Sequence, residues 1–454
     1  MTRALLLLAL LAGDAAAHGR DPYAVRIQFR PGQPQDVLAG TTIGLLTSHD
    51  GGTTWRWTCE EAIHYQDPFD PDYAYAGGGA IFAQSFVGLG VDRDTCKFEP
   101  TQLGDLFVSA VTTAGAIVYV AAADTTDSSI YKSTDEGITF TAIASPGMPG
   151  DWWLSLEVAP SDPQRVYLAG YRLMGTTKQY LVFVSTNGGT SFSPIATTSL
   201  VTTEHSSIDI VGVGPNPDTV YARVTAPPEG GDAVYRSTNA GMTWTKIFGS
   251  QDPYGIAWLA RGNGELIAAT RTSGAWRSTN GGMTWEELTN PPHISTLVEA
   301  PNGDVWAGTQ NFLGVPPVPA LPTIPSDGYI LMKSTDLVTW TPVLRVQDLV
   351  GPECATGSDV YEQCAVIDRG LGTAWCCLVT ALGITSTEVD CSGPRSCGAN
   401  QGDVTAGDVT VRPPDGCCQG SPPTSVLTAL LVLITFGYAH RPRRAARRRA
   451  RGHR

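Results

Sequence analysis

Short runs in which apolar and polar residues alternate recur along most of this chain, bounded by Gly, Pro, Asn or Asp. Ile117-Val118-Tyr119-Val120-Ala121, Arg165-Val166-Tyr167-Leu168-Ala169-Gly170 and Thr219-Val220-Tyr221-Ala222-Arg223 are examples. A period of two predicts half-buried β-strands, and no long segment between the termini carries a sustained helical stripe. A turn pattern, Ser-x-Asp/Asn-x-Gly-x-Thr-Trp/Phe, separates pairs of these runs. Its cleanest copy is Ser278-Thr279-Asn280-Gly281-Gly282-Met283-Thr284-Trp285, and further copies begin at Ser48, Ser133, Ser185 and Ser237. A shortened copy without the Gly starts at Ser334. Each reads as a β-hairpin turn: the Asp or Asn side chain accepts backbone N–H groups of its own turn, and Gly supplies positive φ. The closing aromatic is expected to bury the hairpin against a neighbour.

Spacing carries the architecture. The acid or amide position falls at Asp50, Asp135, Asn187, Asn239, Asn280 and Asp336, and from Asp135 onward the steps are 52, 52, 41 and 56 residues. The first step, of 85 residues, spans two such lengths, and Asp92-Arg93-Asp94-Thr95-Cys96-Lys97-Phe98 supplies a degenerate copy with Asp94 as its acid. Repeats of this length with about four short strands each predict propeller blades. Seven are expected, with Trp55, Phe140, Phe192, Trp244, Trp285 and Trp340 at equivalent buried sites.

These motifs resemble the Asp-box, or bacterial neuraminidase, repeat of sialidases, sortilin-type receptors, plant photosystem-assembly propellers and some xyloglucan hydrolases. The resemblance covers roughly residues 24–346 and implies an all-β, seven-bladed β-propeller with Asp-box hairpins. It does not choose a function, since the boxes of those families lie on the blade periphery of enzymes and binders alike.

Composition agrees with a turn-rich globular chain: 454 residues hold 50 Gly and 32 Pro, with only 16% charged residues. The net charge is −13, and setting aside the eight Arg of the last sixteen residues leaves −21. A body that acidic argues against a nucleic-acid partner. Residues 1–17 read as a signal peptide, with Arg3, an apolar stretch from Ala4 to Ala12 and Ala15-Ala16-Ala17 before the cut. The propeller is assigned to 18–347. A cysteine-rich appendage or stalk follows at 348–420, with eight cysteines between Cys354 and Cys418 and none of the CxxC and His spacing of a zinc site. The tail, 421–454, joins an apolar helix over Val426–Tyr438 to an Arg-rich end. Preceded by Cys417-Cys418, it resembles the C-terminal sorting signal of myxobacterial surface proteins, which implies membrane insertion before processing and then display at the cell surface.

Candidate chemistry is sparse. Asp67, Asp70 and Asp72 pack three carboxylates into a short stretch that could hold Ca²⁺, although a solvated Asp-Pro turn is the favoured reading. Cys59 and Cys96, at equivalent places in adjacent blades of an exported protein, are expected to bridge. Asp151-Trp152-Trp153 offers aromatics for sugar stacking or simply for the core, and Glu60, Glu61 and His64 form the densest titratable cluster. Blade seven carries a Pro-rich insertion, Asn311 to Asp327. Neither Gly-x-Ser-x-Gly nor His-Glu-x-x-His occurs. The Arg-Ile-Pro start of a sialidase is replaced by Arg26-Ile27-Gln28. The leading expectation is a surface-displayed, non-enzymatic propeller that binds a protein or polysaccharide. The alternative is a secreted glycoside hydrolase of xyloglucan-hydrolase type, and a third reading is an assembly factor.

Overall fold

The structure, a computed structural model, describes residues 21–64, 70–85, 88–104, 106–123, 128–315, 321–366 and 374–392. Seven antiparallel sheets hold their strands in sequence order, one sheet per blade. Their first strands are Ala24–Arg30, Tyr73–Tyr75, Val108–Ala114, Asp151–Ala159, Ser207–Val213, Ala257–Ala260 and Thr296–Glu299. These lie side by side in a closed ring, with the seventh against the first. The chain is a seven-bladed β-propeller. We call the face at which these inner strands begin the upper face. Loops between blades lie there, while the turns joining third to fourth strands lie on the lower rim.

Those rim turns share one hydrogen-bond scheme. In blade three the Ser133 hydroxyl donates to Asp135 (2.7 Å) and accepts from the Gly137 N–H (2.7 Å). Asp135 then accepts the Thr139 N–H (2.9 Å) and its hydroxyl (2.6 Å). Blade one repeats the scheme around Ser48 and Asp50, and blade seven around Ser334 and Asp336. Blades four, five and six use Asn187, Asn239 and Asn280. There the amide oxygen accepts the backbone N–H, and the NH₂ group donates to the Ser191, Thr243 or Thr284 hydroxyl. Reversing the donor of one bond is all that exchanging Asp for Asn requires. The turn serines are buried, so this scheme also satisfies hydroxyls that water cannot reach.

Blade two departs from expectation. Asp92, not Asp94, caps its turn by accepting from the Thr95 N–H (2.9 Å), while Asp94 sits at φ 61°, where the other copies hold a left-handed residue. The chain there reaches the turn geometry two residues earlier than the pattern suggests.

Each turn packs on the blade before it. A Cβ added at Gly137 would come within 2.5 Å of Phe82, and one at Gly282 within 2.8 Å of Ile247, so only glycine allows the approach. Basic side chains of the preceding blade cap the turn carbonyls: Arg93 on Glu136 (3.1 Å), Lys132 on Gly188 (2.9 Å) and Arg236 on Gly281. The six turn aromatics enter six separate apolar clusters. Trp55 and Trp244 are buried there, whereas Phe140, Phe192, Trp285 and Trp340 are half-buried. The equivalence therefore holds, with less complete burial than expected.

The cysteine-rich segment is not a separate stalk. Gly351–Pro352 adds a parallel strand to the outer edge of blade one, beside Arg56–Trp57. Trp375, fully buried in the helix Ala374–Leu382, packs on Trp57 with ring centres 5.7 Å apart. Arg56 meets Glu388 (2.9 Å), and His49 lies between Asp36 (3.0 Å) and Glu353 (3.3 Å). Cys59 and Cys96 are disulfide-bonded, but not to each other as expected. Cys59 joins Cys364 and Cys96 joins Cys354. Both face outward from their blades, and the appendage lies against the edges that carry them. A third bond links Cys376 and Cys391. Cys417, Cys418, the leader and the tail helix lie outside the described residues.

Two outcomes follow. A non-reducing peptide map should contain Cys59–Cys364 and Cys96–Cys354 peptides, and a Cys59–Cys96 peptide would contradict this arrangement. Hydrogen bonding from Ser133 and Thr139 holds the Asp135 carboxyl down at about 2. Because that value lies below the unfolded one, its stabilisation is present above about pH 4 and lost as pH falls toward 2. Asp135→Asn keeps the turn geometry of blades four to six, so in thermal melts between pH 5 and 2 it should unfold with a shallower acid dependence than the parent chain.

Candidate functional site

The inner strands carry charge to the axis. All seven line one cavity of about 350 Å³ in the central channel, and most lining residues fall near the starts or middles of those strands. Blade one contributes Arg26, blade two Asp72, blade four Glu157, and blade five Asp209 with Arg223 from its second strand. Trp258 of blade six is the aromatic of the lining, and Ser109, Ser155, Ser295 and Thr296 add hydroxyls.

The carboxyl groups differ in their surroundings. Asp72 accepts two hydrogen bonds from Arg26 Nη1 (2.9 and 2.8 Å) and one from the Tyr73 N–H (2.9 Å). The Glu157 side chain makes no hydrogen bond among the described residues. Burial pushes its carboxyl up to about 7, with the Asp72 charge adding to the rise and Arg26 opposing it. Asp209 lies opposite Arg223 in the sheet and meets it at 3.4 Å. Arg223 also donates to the Ile256 carbonyl (3.2 Å). A bulge between Trp153 and Ser155 turns the Ser155 hydroxyl to accept the Ile210 N–H (2.7 Å), which fixes blade four against blade five.

A carboxyl pushed up to about 7 by burial, lining one cavity with a second carboxyl bound by an arginine, gives a pair of the kind that acid–base catalysis uses.

Other expected sites are not assembled. Asp72 is engaged by Arg26, Asp67 lies outside the described residues, and Asp70 is half-buried. Among the described residues no group of three or more His, Cys, Asp or Glu gathers to hold a metal ion. Trp153 is core, donating to the Ser128 carbonyl (2.9 Å), and Trp152 packs edge-on against Phe107. Glu60 is buried while His64 is exposed, so the two do not converge. The channel residues were missed because each stands alone in its strand. The available signal was a charge inside an apolar run, as in Leu154-Ser155-Leu156-Glu157-Val158.

Above the channel, the Arg271 guanidinium stacks on Tyr23 (3.9 Å) and Tyr254 (5.2 Å) and donates to Gln310 (2.6 Å). The contacts tie the start of blade one to blades six and seven.

No family model matches the chain. A xyloglucanase of Hypocrea jecorina (strain QM6a) is 26% identical over 255 residues, covering 53% of this chain. That match spans only 28% of the curated relative's length. Among solved structures, a GH74 enzyme of Niastella koreensis aligns with a TM-score of 0.48 at 15% identity, over 73% of this chain and 55% of that one. The GH74 xyloglucanase of Xanthomonas campestris aligns at 0.45 and 14% identity, over 73% and 61%.

Glu157 should make folding stability pH-dependent. Its folded value of about 7 lies above the model-compound value of 4.5, so stability is greatest at and below about pH 4.5 and declines as pH rises through 7. Melting curves of Glu157→Gln should lack that decline, and an unchanged slope would place the titration elsewhere.

Proposed function

We propose that this chain is an exported glycoside hydrolase whose chemistry takes place in the central channel, on a polysaccharide of the xyloglucan kind. The observation that carries the reading is that Glu157, its carboxyl pushed up by burial and its side chain without a hydrogen-bond partner among the described residues, lines the same cavity as Asp72, which Arg26 binds. The partial match to a xyloglucanase supports the same reading and favours it over a non-enzymatic binder. In the reaction the glycosidic C–O bond breaks as Glu157 gives its proton to the leaving oxygen. A water oxygen bonds to the anomeric carbon, and its proton passes to Asp72. Arg26 positions Asp72 and is not itself an acid or base here.

Export and display belong to the same proposal. The rim turns are then Asp-boxes, structural elements remote from the reaction. Residues 1–17 direct secretion, and the Cys417-Cys418 motif with its helix and Arg cluster acts as a myxobacterial-type sorting signal. The disulfides within the described residues support an oxidising destination.

Purified protein should release reducing sugar from xyloglucan. Glu157→Gln should lower kcat by about 10²–10⁴-fold while leaving the melting temperature at neutral pH no lower than that of the parent. Activity should fall above about pH 7, because the acid must carry its proton and loses it there. Full activity in Glu157→Gln would remove the channel from the reaction.

A further inference from the structure

We propose that the lower rim of the propeller docks on a lipid bilayer with neutral headgroups, a surface separate from the channel and independent of the hydrolase reading. The rim turns carry the inference. Ile138, Met242, Met283 and Val338 each stand two residues before the turn aromatic, in blades three, five, six and seven. They are between 62% and 75% exposed, and they make up four of the eight large hydrophobic side chains exposed among the described residues. Single exposed hydrophobics scattered over a surface are ordinary. Here one position of a repeated turn collects them, and none of the four enters an apolar cluster of the core. In blade two that position is Cys96, whose bond to Cys354 holds the appendage. The appendage also reaches the turn of blade one, where Glu353 meets His49 (3.3 Å).

The geometry selects the occupant. Equivalent positions in a closed ring of like blades share one height, so the four side chains define a plane. Each is followed by an exposed Thr and sits on a polar turn of its own blade, so the four form no continuous patch. A second protein, or a second copy, needs about 800 Å² of complementary surface from each partner, which isolated side chains do not offer. A bilayer needs no matching shape, because each side chain sinks into it separately and shallow insertions add along the plane. Charge selects the headgroup. Asp135 and Asp336 lie in the turns, exposed Glu286 and Glu287 follow Trp285, and Arg93, Lys132 and Arg236 are engaged by turn carbonyls. An anionic lipid would be repelled by such a rim. Shallow insertion holds firmly only with a second attachment. Past Glu388, which Arg56 binds beside the blade-one turn, the sequence continues to the apolar run Val426–Tyr438.

Methionine reactivity tests the proposal in the full chain. Hydrogen peroxide converts accessible Met to the sulfoxide, and peptide mapping reads each site. Met242 and Met283 report the lower rim. Met148, in the loop between blades three and four, and Met174, at the end of Asp162–Met174, report the upper face. On phosphatidylcholine vesicles, oxidation of Met242 and Met283 should slow about tenfold while Met148 and Met174 keep their rates. Replacing about a third of the lipid by phosphatidylglycerol should weaken that protection. Unprotected Met242 and Met283 in chain that sediments with the vesicles would overturn the proposal, as would equal protection of all four or no sedimentation at all. Protection that grows with protein concentration in the absence of lipid would assign the rim to a second copy and overturn it too.

Discussion

Blade-to-blade contact in this propeller is set at the lower rim, where a turn of one blade meets the outer strands of the blade before it. Three interactions act there together. A glycine without a side chain allows close approach, a basic side chain from the neighbour caps the turn carbonyls, and an aromatic fills the wedge between sheets. None of these works without the Ser–Asp/Asn hydrogen bonds that hold the turn in shape. A two-layer contact between flat sheets would tolerate sliding. A glycine seated against Phe82 or Ile247 does not, because shifting the register would drive backbone into a ring or a branched side chain. Repeated around the axis, this fixed pitch brings the seven inner strands to a common radius and so defines the channel.

The architecture was legible in the sequence because this constraint is local. Ser, Asp or Asn, Gly and Trp or Phe stand within eight residues, and each does its work inside or next to its own turn. Asp94 shows where locality fails: with no Ser and no Gly in that copy, the pattern alone did not reveal that Asp92 accepts the turn N–H. Pairing of Cys59 with Cys364 was hidden for the opposite reason, since the partner lies 305 residues away and the appendage's path over blade one leaves no periodic trace. The site was hidden more deeply still. Arg26, Asp72 and Glu157 come from three blades, and their meaning arises only from convergence at the axis.

Convergence also explains how one channel holds carboxyl groups in unlike surroundings. Arg26 spends its donors on Asp72, leaving Glu157 with burial and a nearby negative charge, both of which favour its proton. One arginine thus holds one acid by direct contact and, through its charge alone, opposes the rise of the other.

The appendage gives the ring a topology beyond its hydrogen bonds. Cys59–Cys364 and Cys96–Cys354 enclose 305 and 258 residues of sequence separation, so blades three to seven lie wholly within both loops. For that stretch the polypeptide is circular in the graph sense, although it was synthesised as a line. A single break in any loop between those blades would separate no fragment. It would relocate the chain ends and yield a permuted ring still tied at the edges of blades one and two. Between Cys96 and Cys354 the chain must therefore be cut at least twice before it loses a piece.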